Sequence, residues 1–212
     1  ANATQNPHHT VYAAHYMLEA KERGYTVDND VLQSALRYLT TLAGQEPRSL
    51  HDARLSAYAL YVLARSGKVV TKDLEALVDV TKRAWPKEFA RDLFSTWAAG
   101  TYAVLKNDRA ARTLLAKPVF GSGLLGSVYF TDTLAWNTQT LYVVARHFKD
   151  ELPNLVDAKG LEQLLEPLQR SGYNTLSSAY AILALRAYVD AIGGFSADDK
   201  TATVRVPLGM IS

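Results

Sequence analysis

The sequence predicts an all-α fold: an α/α toroid of helical hairpins, each about forty residues long, ending in a short C-terminal β segment. Three observations lead there. A small residue, then an aromatic, then alanine recurs around Tyr12, Tyr58, Trp97 and Tyr180, at separations of 46, 39 and 83 residues, the last about twice the period. Wholly apolar helices alternate with one-sided ones: Ala57 to Ala64 is apolar at every position, whereas Lys72 to Arg83 carries five apolar residues in twelve. A helix apolar on all sides must be buried on all sides, and a striped one covers a core. Finally, strand-like alternation is confined to Thr201–Val206 at the end of the chain. Five hairpins are one short of the six that close a barrel, so the fold is expected as an incomplete toroid over 1–195, lacking N-terminal helices, with a return strand in 196–212.

Each element has its own punctuation. Val11 to Glu22 is apolar at helical spacing and stops at Gly24. Asp28 or Asn29 starts a second helix through Leu42, closed by Gly44. Ser49-x-x-Asp52 resembles a capping box and opens a third, which stops at Gly67. Thr71 is expected to cap a fourth, with Asp73 placed against the positive helix end. A fifth is expected over Glu88 to Lys106, after Pro86, and a sixth over Asp108 to Lys117. Residues 118–130, with three glycines and a proline, read as loop. Thr131 or Asp132 begins a seventh helix to Lys149, where Asn137-Thr-Gln-Thr140 replaces the repeat's aromatic. The eighth, near Ala158, is expected to break at Pro167, and the ninth runs from Asn174 or Thr175 to Gly193-Gly194. Alanines on the inner helices let their axes approach closely.

Composition narrows the chemistry. The 212 residues include 23 basic and 21 acidic side chains, for a net charge of +2 with neither sign in blocks, which gives no nucleic-acid footprint. The absence of cysteine removes disulfides, thiolate metal sites and a cysteine nucleophile from this chain. The apolar run Ala57–Ala64 is too short to cross a bilayer. The chain begins Ala-Asn-Ala-Thr-Gln-Asn-Pro without an initiator Met and is read as part of something larger.

Glycoside hydrolysis needs two carboxylates across a cleft. The available pairs are Asp28/Asp30, Glu46/Asp52 and Asp198/Asp199; the first two sit at helix starts and the third in a polar turn. None of the five histidines forms His-x-x-x-His, and Gly121-x-Gly-x-x-Gly126 precedes no βαβ unit. No catalytic residue, cofactor site or metal site is therefore assigned. Tyr12, Tyr58, Tyr102, Tyr142 and Tyr180 fall on inner helices, where they either line a bowl or fill a core with their hydroxyls satisfied. Phe120, Leu124, Leu125, Val128, Tyr129 and Phe130 make the 118–130 loop unusually apolar: it is either tucked against the helices or a docking patch for a neighbouring domain.

Three stretches resemble the thioester domain of bacterial α2-macroglobulins. They are Thr10-Val-Tyr-Ala-Ala-His-Tyr-Met-Leu-Glu-Ala-Lys-Glu-Arg-Gly-Tyr25, Asp132 to Arg146, and Arg170 to Leu185, within a resemblance covering about residues 8 to 194. That resemblance implies an α/α toroid inserted in a CUB-like β-sandwich, to which Thr201–Met210 returns. It also implies a periplasmic parent, often tied to the inner membrane, whose bait region is cut by proteases that are then trapped. Many such proteins carry a Cys-x-Glu-Gln thioester. With no cysteine, this chain cannot form one, so the motif lies upstream or the parent has lost it. The expected role is non-enzymatic, with neighbouring macroglobulin and CUB-like domains and target proteases as partners. Two alternatives stay open: a toroidal glycosidase or cyclase with its acids in an absent segment, and a helical-repeat adaptor. The enzyme predicts a deep polar pocket with a carboxylate of raised pKa. The inhibitor predicts an apolar, poorly acidic bowl, and the adaptor an open solenoid with end caps.

Overall fold

The computed structural model describes residues 6–115, 120, 133–169 and 174–193. Among them are ten α-helices and no strand: α1 (Pro7–Glu22), α2 (Asn29–Ala43), α3 (Leu50–Arg65), α4 (Thr71–Ala84), α5 (Leu93–Val104), α6 (Asp108–Leu114), α7 (Thr133–His147), α8 (Leu152–Leu155), α9 (Ala158–Gln169) and α10 (Thr175–Ala191). The protein is all-α over these residues. The expected return strand, and the 118–130 loop apart from Phe120, lie outside them.

The caps follow from side-chain chemistry. The Asn6 side chain accepts from His8 N–H, and Pro7 occupies the first turn, so α1 starts four residues before the expected Val11. Asp28 caps α2 and Ser49 caps α3. Asn174 and Ser177 form a reciprocal capping box at α10. Gly24 and Gly67 take positive φ beyond α1 and α3, and the residue after each donates back to the last turn, Tyr25 to Ala20 and Lys68 to Leu63.

Four expectations are corrected. Val70, not Thr71, is the α4 cap residue, and no side chain caps that helix. The expected fifth helix divides into a 3-10 turn, Phe89–Arg91, and α5, because extended backbone at Asp92 interrupts it and the Asp92 carboxylate caps Phe94 N–H. α7 ends at His147, short of the expected Lys149, and a second 3-10 turn, Lys149–Glu151, and the single-turn α8 follow it. Pro167 does not break α9, which continues to Gln169. So close to the C-terminal end, the ring removes one amide donor but interrupts little further helix.

Burial separates two sets of helices. Every residue from Leu55 to Ala64 in α3 and from Leu134 to Ala145 in α7 is buried, whereas α2 buries only Leu32, Leu36 and Leu39. α10 departs from the expectation of all-round burial, since Ile182 is 70% exposed on its outward side. The inner helices α1, α3, α5, α7 and α10 run parallel. His15 meets Tyr58 while Glu19 meets Arg65; Arg54 meets Asp92 while Tyr58 stacks on Trp97; Trp97 meets Gln139; Tyr12 meets Tyr180 while Arg23 meets Asp190. In α1–α3, α3–α5 and α1–α10 the partners advance together from N- to C-terminal end, and α5 and α7 do so through Trp97 with Gln139 and Gly100 with Val143. Close approach is visible at Gly100, where an added Cβ would stand 3.0 Å from Val143 Cγ1 and 3.3 Å from the Tyr61 ring.

Candidate functional site

The parallel inner helices converge on a polar centre built from α1, α3 and α7. His15 and Glu19 lie one helical turn apart on α1, so both face inward. Arg65, in the last turn of α3, points its guanidinium between them: Nη1 lies 2.6 Å from Glu19 Oε1, 2.6 Å from the Tyr142 hydroxyl and 3.0 Å from His15 Nε2. Tyr142 donates to Glu19 at 2.5 Å. The other imidazole nitrogen of His15, Nδ1, is 2.8 Å from the Tyr58 hydroxyl, to which Tyr180 donates at 3.3 Å. On the opposite flank the Tyr61 hydroxyl lies 2.8 Å from His147 Nε2. Glu22 closes the outer edge by pairing with both Arg65 and Arg146, and Arg23 extends the pairing to Asp190 of α10.

The electrostatics follow from burial and these neighbours. Burial alone would raise the Glu19 carboxyl, but Arg65, the Tyr142 hydroxyl and Arg146 outweigh it and hold Glu19 at about 2. Burial, reinforced by Arg65, depresses His15 to about 3, and burial with Arg146 and Arg65 depresses His147 to about 3. A neutral His15 is what the geometry requires: Arg65 donates to Nε2, which leaves Nδ1 to carry the proton toward Tyr58. Burial drives the Tyr58 and Tyr142 phenols well above their ordinary value, so both remain protonated.

The residues singled out in the sequence fall in several places. Tyr58, Tyr142 and Tyr180 are each 2% exposed and hydrogen-bonded to one another or to the centre, so they fill a core rather than line a vacant bowl. Tyr12 packs edge-on to Tyr180, with ring centroids 4.9 Å apart. Tyr102 stands apart from this group, its hydroxyl raised by burial with Glu75 and Asp79 of α4 nearby. Phe120 is buried, with its ring against Gly160 of α9; Leu124, Leu125, Val128, Tyr129 and Phe130 lie outside the described residues. Asp28 serves as the α2 cap, with Asp30 in the first turn. Asp52 accepts the Arg48 N–H at the start of α3 and lines a surface groove with Glu46; Asp198 and Asp199 lie outside the described residues. Neither the expected apolar bowl nor a carboxylate of raised pKa occupies the centre. Its carboxylate is ionised and its polar groups are paired with one another.

Small spaces flank this centre. At the N-terminal ends of the inner helices a cavity of about 20 Å³, room for about one water, is lined by His8, His51, Arg54, Tyr58, Trp97 and Gln139. Near the C-terminal ends a cavity of about 200 Å³ reaches His147. Among the described residues, no group of three or more His, Cys, Asp or Glu side chains could hold a metal ion, and no helix is long and apolar enough to cross a membrane.

No protein-family model matches the chain, and no solved structure matches it significantly. Curated proteins do. The chain is 32% identical over 200 residues, 91% of its length, to an alpha-2-macroglobulin homolog of Yersinia pestis. It is 29% identical over 192 residues to an alpha-2-macroglobulin of Rickettsia conorii, and 32% over 193 residues to one of Pasteurella multocida, covering 90% and 84% of this chain. This is a bacterial alpha-2-macroglobulin-like region. It spans about 10% of the length of each of these relatives.

Sequence reasoning missed several central residues of this alpha-2-macroglobulin-like region. Glu19 and Arg65 sit at the polar ends of apolar runs, where a charge ordinarily reads as a helix end reaching solvent. The available signal was His15 and Glu19 at i, i+4 on a face that also carries Val11 and Leu18. Gln139 stands where the repeat expects its aromatic, and accepts from Trp97 Nε1 at 3.2 Å. Arg54 makes a two-pronged pair with Asp92, at 2.7 and 2.8 Å, and lies over the Trp136 ring, joining α3, α5 and α7.

Proposed function

We propose that this chain is a non-catalytic domain of a bacterial α2-macroglobulin-like, broad-spectrum protease inhibitor. Its inner helices would form an incomplete α/α toroid, completed by helices from elsewhere in the parent and followed by a return to a CUB-like sandwich. The observation that carries the reading is the match of most of the chain to alpha-2-macroglobulins of three different bacteria. The filled polar centre supports it further. A toroidal hydrolase needs an accessible acid poised to exchange a proton, whereas Glu19 is ionised, buried and committed to Arg65 and Tyr142. The domain's work on this reading is to present rigid faces to neighbouring macroglobulin domains and to move with them when a protease cuts the bait. A periplasmic parent, possessing or lacking a thioester outside this chain, fits the same reading.

The test uses the full-length parent. A protease mixed with it is expected to retain activity on a small chromogenic peptide while losing activity on a large protein substrate, as a caged enzyme does. Equal loss or equal retention on both substrates refutes entrapment. Glycan hydrolysis by the 212-residue chain at an ordinary enzymatic rate would overturn the non-catalytic assignment.

A further inference from the structure

α1 is held into the ring by unusual means. Its fully buried apolar side chains are only Val11, Ala14 and Leu18, beside the buried His15 and Glu19, whereas α3 buries an apolar or small side chain at every position from Leu55 to Ala64. Polar groups therefore carry much of the attachment of α1: Glu19 and Glu22 to Arg65 of α3, both again to Arg146 of α7, Glu19 to Tyr142, and Arg23 to Asp190 of α10.

That polar centre is connected to solvent. The cavity of about 200 Å³ lined by His147, Asp108, Arg112, Lys149, Asp150 and Glu151 brings water to one end of a hydrogen-bonded series. His147 Nε2 lies 2.8 Å from the Tyr61 hydroxyl, which donates to Tyr142 at 3.4 Å; Tyr142 and His15 Nε2, 3.0 Å apart, both accept from Arg65, and His15 Nδ1 faces Tyr58 at 2.8 Å.

We propose that this centre is an acid-operated latch: protonation of the histidines around Arg65 releases α1 from the ring of inner helices. Every element packed around His15 contributes to the balance. α1 supplies Glu19; α3 supplies Tyr58, Tyr61 and Arg65; α5 supplies only the uncharged Trp97 ring; α7 supplies Tyr142, Arg146 and His147; and Tyr180 of α10 acts through Tyr58. Glu19 is the anion facing a protonated His15, at 3.8 Å, but the same oxygen already accepts from Arg65 at 2.6 Å. A protonated His15 would therefore place a second cation 3.0 Å from the guanidinium, both side chains being buried. His147 meets Arg146, Arg65 and Lys106 in the same way.

The sign is unambiguous. The closed form keeps His15 and His147 neutral down to about 3 and His8, at the start of α1, down to about 4. A released imidazole binds a proton near its ordinary value. Closure is therefore strongest above that value and weakens as pH falls below it, by about tenfold per pH unit for each imidazole freed.

The test measures amide protection of the 212-residue chain at stepped pH, each rate divided by the intrinsic rate at that pH. Protection in α1 is expected to collapse between pH 6.5 and 4.5 while that in α5 persists, and His147→Gln should lessen the α1 slope by about tenfold per pH unit. Parallel loss in α1 and α5, or an unchanged slope in the variant, overturns the latch. Independently of any variant, His15 and His147 ring-proton resonances in the folded wild type should not titrate between pH 7 and 5. Ordinary titration of both in that range overturns it as well.

Discussion

Arg65 is the residue on which the centre turns. Its side chain is 3% exposed, and a single guanidinium serves Glu19, Glu22, His15 and Tyr142. Removing one partner of a buried ion pair leaves the other unpaired in low dielectric, which costs about 3–5 kcal/mol. Arg65→Met would leave Glu19 only its longer cationic contacts, to Arg146 and Arg23 at 3.4 and 3.6 Å, so it is expected to destabilise the chain by up to about that amount in urea unfolding; a change below about 1 kcal/mol would mean that these contacts or solvent compensate Glu19 fully. The paired change Glu19→Gln with Arg65→Met should recover part of the loss, because the uncompensated charge disappears. Gly100→Ala tests the close approach of α5 to α3 and α7. Alanine is favoured over glycine in a helix by about 1 kcal/mol, but here its Cβ would meet Val143 and Tyr61, both fully buried and unable to give way. Overpacking should win, lowering the thermal midpoint; a raised midpoint would show that the α5–α7 contact has slack.

At the scale of elements, α10 depends on a cap that can be tested in isolation. Asn174 Oδ1 accepts from Leu176 and Ser177 N–H while Ser177 Oγ accepts from Asn174 N–H. Asn174→Ala should cost about 1 kcal/mol, seen as fraying of the first α10 turn by hydrogen exchange. Elements such as this were legible in the sequence because caps and glycine stops act locally: Asp28, Ser49 and Asn174 occupy the positions their chemistry requires. The alternation of inner and outer helices was legible too, since wholly apolar and striped helices bury different fractions of their surface. The break at Asp92 was not, because Arg54, 38 residues earlier, anchors that carboxylate. The polar centre was hidden for the same reason. His15, Arg65 and Tyr142 lie on three helices, and nothing local to any one of them says that its partners are polar. Pro167 erred in the other direction: the residue type suggested a break, but its position near the end of α9 made continuation inexpensive.

At the scale of the molecule, the buried neutral histidines make stability depend on pH. His8, His15 and His147 are depressed to about 4, 3 and 3, all below the ordinary histidine value. The unfolded chain therefore binds more protons than the folded one between about pH 6.5 and 4, and unfolding in that range should take up two to three protons. Stability should be flat from pH 7 to 8 and fall progressively below 6.5, measured as the urea midpoint at each pH. A midpoint unchanged down to pH 5 would show that these rings are solvated. The central claim, that parallel inner helices enclose a common filled centre beneath an outer layer, is tested most directly by hydrogen–deuterium exchange of the 212-residue chain at neutral pH. The account predicts the slowest amides in α3 and α7, buried along most of their length, and faster exchange in α2 and α4, which pack on α3 with one stripe each. Exchange as fast in α3 and α7 as in α2 and α4 would contradict it.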